Sequence, residues 1–204
     1  MPASPDRPPH SNQATLTAFL AMAHQVGAKS VREAVFLSNY PSTDLPKAMF
    51  AAALGSIPLA LLVTRAMTRW GPSRVAPLLF GLSAALWGFE WMFLPQAVRA
   101  VALLIFFHVS IGGAILLSTF WSAVSECFDP HTLKRLVSRI GAAATMGGMF
   151  GGALIERTSH WLDAQSTMLV LAGICGVAGI GIGLLTRSPV ASATVVDTPG
   201  STGF

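Results

Sequence analysis

Apolar residues gather along this chain in six long runs, at 14–38, 46–66, 75–95, 99–127, 139–157 and 166–186, separated by short stretches where prolines, glycines and charges collect. Each run is close to or above the ~20 residues that an α-helix needs to cross a hydrocarbon core. Backbone groups in lipid must be bonded within their own segment, so helix is the expected conformation. The pattern predicts an all-α, polytopic membrane protein with six transmembrane helices. Turn signals agree: Asn39-Tyr40-Pro41 closes the first run, Trp70-Gly71-Pro72 parts the second from the third, Pro95 ends the third, and Asp129-Pro130 follows the fourth. The fourth run is longer than the core is thick and is expected to tilt or project beyond it.

Residues 1–13 are polar and proline-rich and read as a disordered leader, 14–187 as the six-helix domain, and 188–204, rich in Ser, Thr, Pro and Gly, as a flexible tail. Ala14 to Ala23 has the outline of a signal peptide, but only Arg7 supplies a basic flank and helical spacing continues past the cleavage motif. The segment therefore reads as the start of the first span.

Composition removes the soluble alternative, because 52% of residues are hydrophobic and only 11% charged. The formal charge of +4 comes from scattered residues and gives no footprint for nucleic acid. Arg7, Arg65, Arg69, Arg74, Lys134, Arg135, Arg139 and Arg187 flank one side of the bundle, against Lys47, Arg99 and Arg157 on the other. The excess predicts that both termini face the cytoplasm, with the bacterial inner membrane as the expected location. Trp87, Phe89, Trp91, Phe93 and Trp161 read as an outer aromatic belt. Cys127 and Cys175 fall at different depths, which forbids a disulfide and makes them packing residues. No phosphate-cradling glycine loop, zinc spacing or nucleophile–base order supports an enzyme, a metal or a cofactor.

Candidate chemistry lies in polar residues inside the apolar runs. Gln25, Lys29, Arg32 and Glu33 share one face of the first helix. Two cations and one anion leave a net positive stripe that suits an anionic substrate in a cavity; the alternative is that the two cations snorkel to the outer headgroups with Glu33 as a local partner. Glu90 either pairs with Lys29 or Arg32 or reaches headgroup water. His108 is either hydrogen-bonded to a neighbouring helix or part of a proton relay. Gly147, Gly148, Gly151 and Gly152 in the fifth run, and Gly179 and Gly183 in the sixth, form pairs of small residues four apart, the pattern that lets helix backbones approach closely.

Two stretches carry a resemblance. One is Val31-Arg32-Glu33-Ala34-Val35-Phe36-Leu37-Ser38; the other runs from Phe120-Trp121 through Phe128-Asp129-Pro130 and Lys134-Arg135-Leu136 to Ile140-Gly141 and the glycines ending at Gly152. Both resemble the ATP/ADP translocase-like, nucleotide-transporter branch of the major facilitator superfamily. A weaker likeness is Arg69-Trp70-Gly71-Pro72-Ser73-Arg74, placed like that superfamily's basic loop between helices two and three, although no acidic residue stands in it here. The resemblance covers the amino-terminal six-helix half of a twelve-helix architecture. It implies a cavity face built from the first and fourth helices, which carry Lys29, Arg32, Glu33 and His108. It also implies a partner: a second copy, a second transporter half, or a larger membrane complex. Two functions follow as expectations. The chain is half of a carrier for an anionic, phosphorylated-type solute, or it is a non-transporting accessory or assembly subunit.

Overall fold

The computed structural model describes residues 10–159, 161 and 163–187; the leader at 1–9 and the tail from 188 lie outside them. Among the described residues the chain forms six long α-helices: α1 (Ser11–Asn39), α2 (Leu45–Trp70), α3 (Pro72–Phe93), α4 (Val98–Cys127), α5 (Pro130–Ser159) and α6 (Ala164–Thr186), with a 3-10 turn at Ser42–Asp44. α2 together with that turn, α3, α4 and α6 are long and apolar enough to cross a membrane. α1 and α5 are as long but carry more charge, α1 through Lys29, Arg32 and Glu33, and α5 through Lys134, Arg135, Arg139, Glu156 and Arg157.

Each helix differs from the sequence reading by one or more residues, α2 for instance running on to Trp70 and not ending at 66, and two of the differences have a visible cause. α1 starts at Ser11, so residues 11–13 belong to the helix and not to the leader. Ser11 is buried, and Asn12 Oδ1 accepts from Arg139 of α5 at 2.8 Å, tertiary partners that hold the first turn in place. α5 starts at Pro130, nine positions before the predicted 139. Asp129-Pro130 opens this helix as well as closing the previous one. Asp129 Oδ1 accepts the backbone N–H groups of His131 and Thr132 at 3.0 and 3.1 Å, and a proline at the first helical position loses no bond there.

Each remaining connection has a local cause. Gly71, at φ 80°, occupies a left-handed conformation that closes α2, with its N–H on the Met67 carbonyl at 2.9 Å, and Pro72 opens α3. The α2–α3 loop is tied to the far end of α4. Glu126 Oε2 accepts from the Ser73 N–H at 2.8 Å and also from the Ser73 hydroxyl. A carboxylate absent from the loop in sequence is thus delivered to it by α4. Asp163 caps α6, accepting from the Ser166 N–H at 3.0 Å.

The helices pack in a pattern with internal symmetry. α1 packs against α5 and α6, α4 against α2 and α3, α1 against α4, and α3 against α6, with lighter contacts of α2 with α3 and of α5 with α6. Exchanging α1 with α4, α2 with α5 and α3 with α6 maps these pairs onto themselves, although α1 packs far more extensively on α5 than α4 does on α2, and a light contact of α4 with α6 falls outside the pattern. The six helices thus divide into two triplets, α1–α3 and α4–α6, whose members have corresponding partners. α1 is central. Small residues Ala14, Ala18, Ala21, Ala23 and Ala28 on its buried side admit its neighbours closely.

The glycines mark two of these contacts. A Cβ on Gly147 would strike the Phe19 carbonyl oxygen, and one on Gly151 the Ala23 carbonyl oxygen, so α1 and α5 touch backbone to backbone. Gly148 and Gly152 face side chains instead, an added Cβ meeting Val26 at 3.3 and 3.8 Å and, at Gly148, the end of Met22 at 4.0 Å. A Cβ on Gly179 would lie 3.0 Å from Phe80 of α3, and one on Gly183 3.6 Å from Pro77. An added Cβ would also come within 3.0 Å of Leu171 at Gly27 and within 2.6 Å of the Thr17 hydroxyl at Gly181.

Candidate functional site

The polar stripe of α1 divides into two groups on α4. Gln25, buried, lies across Gly113, where the lack of a side chain makes room for its amide. About two turns further along α1, Arg32 Nη1 donates to Ser110 Oγ of α4 at 2.9 Å and Nη2 donates to Glu33 Oε1 at 2.6 Å. Its guanidinium stands 5.1 Å from the centre of the Phe106 ring, a cation–π contact. Arg32 is 12% exposed and Glu33 54%, so the pair runs from protein to surface. The third guanidinium nitrogen, Arg32 Nε, is buried and its N–H has no partner among the described residues. Lys29 stands apart from this group: it is exposed, and the ion pairs among the described residues do not include it.

Glu90 goes to neither Lys29 nor Arg32. It is fully buried on α3, and both its oxygens face Nδ1 of His108 on α4, at 3.0 and 3.1 Å. The reason is adjacency, since α3 packs on α4 and lies apart from the Arg32 side of α1. His108 Nε2 lies 2.9 Å from Ser83 Oγ of α3, so the ring is bonded at both nitrogens to a neighbouring helix. Trp87 is not part of a surface belt. It is fully buried, its indole N–H donates to His24 Nε2 of α1 at 3.0 Å, and its ring tilts against His108 at 5.3 Å. Phe89, Trp91, Phe93 and Trp161 are exposed.

His24, Ser83 and Trp87 were not among the predicted site residues. A signal was present, because Ser83, Trp87 and Glu90 stand at i, i+4 and i+7 and must share one face of α3. The resulting chain, His24–Trp87 beside His108–Glu90, joins α1, α3 and α4 through hydrogen bonds that a membrane interior makes expensive to leave unmade. Cys127 and Cys175 are free thiols, donating to the Leu185 carbonyl at 3.9 Å and to the Phe80 carbonyl at 3.4 Å.

Compared with protein-family models, with curated proteins and with solved structures, the chain matches none. Among the described residues no three His, Cys, Asp or Glu side chains gather to hold a metal ion. What the arrangement offers is one cation held in place with a donor to spare at the α1–α4 seam, and a buried carboxylate–imidazole pair behind it.

Proposed function

We propose that this chain is the amino-terminal half-bundle of a membrane carrier of the major facilitator type, in the ATP/ADP translocase-like branch, and that it carries an anionic solute of phosphorylated type together with a second six-helix unit. In this reading all six helices span the membrane. The charged residues that α1 and α5 expose, among them Lys29, Glu33, Lys134, Arg135 and Arg139, are then covered by the second unit or lie at the membrane surface, and the basic ends of α2, α3, α5 and α6 face the cytoplasm. The exchange symmetry of the packing supports it, since an inverted pair of three-helix units is how each half of such carriers is built, with the substrate at the interface near mid-membrane.

The observation that carries the reading is the state of Arg32. Ser110 and Glu33 fix its guanidinium at the α1–α4 seam, the pair that relates the two triplets, while Nε–H is left without a partner. An unpaired charged donor at such depth is costly, and an oxyanion reaching it would offset that cost. A second reading, an accessory or assembly subunit, is favoured by one feature: Glu33 already neutralises Arg32 and remains half exposed, so the stripe also fits docking onto a larger complex. Purification in mild detergent followed by native mass measurement tests the choice. A particle of two six-helix units supports the carrier, a stable large assembly supports the accessory role, and a monodisperse single chain contradicts both.

A further inference from the structure

α5 is longer than the hydrocarbon core it would cross, and its extra length is basic. Its 30 residues span about 45 Å at 1.5 Å each, against a core of ~30 Å. The apolar run at 139–157 matches the core, so the turns from Pro130 to Arg139 enter the headgroup layer, which adds only about 5–8 Å on each side. Lys134 and Arg135 then stand at the level of the lipid phosphates. Packing fixes their direction. Leu136 and Ile140 are buried in one cluster with Val124, Phe128 and Leu185, and Leu133 packs against it. With that face inward, Lys134, Arg135, Val137, Ser138 and Arg139 are left exposed.

The carboxylates at this end of the bundle are committed elsewhere. Among the described residues they are Glu126 and Asp129. Glu126 accepts from the N–H and the hydroxyl of Ser73, and Asp129 from the N–H groups of His131 and Thr132. The ion pairs among the described residues include neither Lys134 nor Arg135. Arg139 donates to the neutral amide of Asn12 at 2.8 Å, which holds the side chain and leaves its charge unbalanced. Three cations therefore lie within two turns of one helix. Val137 is exposed between them, and Met146 and Met149 are exposed further along α5. Cations at the phosphate level followed by exposed apolar side chains match a phospholipid, phosphate first and acyl chain beyond it. An acidic peptide would match the charge but not this succession.

We propose that the first turns of α5 bind an anionic phospholipid, its phosphate held by Lys134, Arg135 and Arg139. The depth of the site rests on the six-span reading; the carrier role does not enter. The test places the full chain in nanodiscs of equal parts phosphatidylglycerol and phosphatidylcholine, and native mass spectrometry reads the lipid retained. Both leaflets have the same composition, so the result is independent of orientation, and no transport is measured, so it is separate from the carrier reading. The wild type should retain phosphatidylglycerol in preference. Lys134→Ala and Arg135→Ala should each weaken that preference about fivefold, and the double variant about thirtyfold. Lys134→Arg should keep it. Lys47, exposed but paired with Asp44 at 2.8 Å, is the control, and Lys47→Ala should leave the preference unchanged. All these side chains are exposed, so the variants should fold as the wild type does. Equal retention of the two lipids by the wild type, or an undiminished preference in the double variant, would overturn the proposal. So would displacement of the lipid by inorganic phosphate beyond the effect of chloride at equal ionic strength, which would assign these cations to a free anion.

Discussion

Replacing Gly147 or Gly151 by alanine places a methyl group on a backbone oxygen of α1, Phe19 O in one case and Ala23 O in the other. Neither atom is the end of a flexible side chain, so relief requires α5 to move off α1 by roughly an ångström, and overpacking of this kind costs about 1–3 kcal/mol. Helix propensity acts in the opposite direction, favouring alanine over glycine by about 1 kcal/mol. The net loss is therefore about 0–2 kcal/mol for either change alone. One displacement relieves both clashes because the sites are a turn apart, so the double variant should lose less than the sum of its parts. Gly141 supplies the control on the same helix: nothing lies within 4 Å of an added Cβ, and Gly141→Ala should be neutral or stabilising. Leucine sharpens the contrast, since Gly147→Leu and Gly151→Leu cannot be housed at a backbone contact, whereas the Cβ of Gly152→Leu meets only the Val26 side chain, at ordinary contact distance. Thermal unfolding in detergent, followed by the monodisperse fraction on size exclusion, reads the effect, at about 2–4 °C per kcal/mol for a chain of this size. Unfolding of Gly147→Leu and Gly151→Leu at the temperature of Gly141→Leu would refute a backbone-to-backbone α1–α5 contact.

Reporter fusions at Gly71 and after Arg187 should be cytoplasmic and one at Asp163 external, and an external reporter after Arg187 would refute six spans. Hydrogen bonds from Ser166, side chain first and then backbone, hold the Asp163 carboxyl below the usual carboxylate range. A depressed folded-state value means the cap contributes fully above the unfolded pKa of ~3.9 and is lost as pH falls through the lower folded value. Hydrogen exchange at Ser166 and Thr167, corrected for its intrinsic pH dependence, should therefore speed up below about pH 4 in the wild type, and Asp163→Ala should show the faster exchange already at neutral pH.

The helices were legible in the sequence because lipid leaves the backbone few choices, and long apolar runs state the result directly. The start of α5 was not, because Asp129-Pro130 is equally good as an end and as a beginning, and the bonds from His131 and Thr132 decide between them only in three dimensions. Ser11 and Asn12 looked like leader because their partners, including Arg139, lie far along the chain. The fifth-helix glycines offered two overlapping registers, and only the position of α1 selects Gly147 and Gly151 over Gly148 and Gly152. Arg32 and Glu33 were recognisable as charges that need partners at depth. Ser110 was not, since a serine in an apolar run carries no sign of which helix it faces. Glu90 had several formal partners, and the adjacency of α3 and α4 gave it His108.

Uptake of a radiolabelled phosphorylated anion into vesicles reconstituted with the intact detergent-purified complex tests the central claim most directly, comparing Arg32→Ala and Glu33→Ala with Arg187→Ala. Arg187 is exposed at the end of α6 and should leave uptake unchanged. Arg32→Ala removes the guanidinium fixed at the α1–α4 seam and should lower uptake at least tenfold with assembly intact, corresponding to about 1.4 kcal/mol or more of lost anion stabilisation. Glu33→Ala frees the second guanidinium nitrogen and should alter anion affinity in the same assay. Normal assembly with uptake at the original rate in both variants would contradict the account and leave Arg32 and Glu33 as an interfacial anchor.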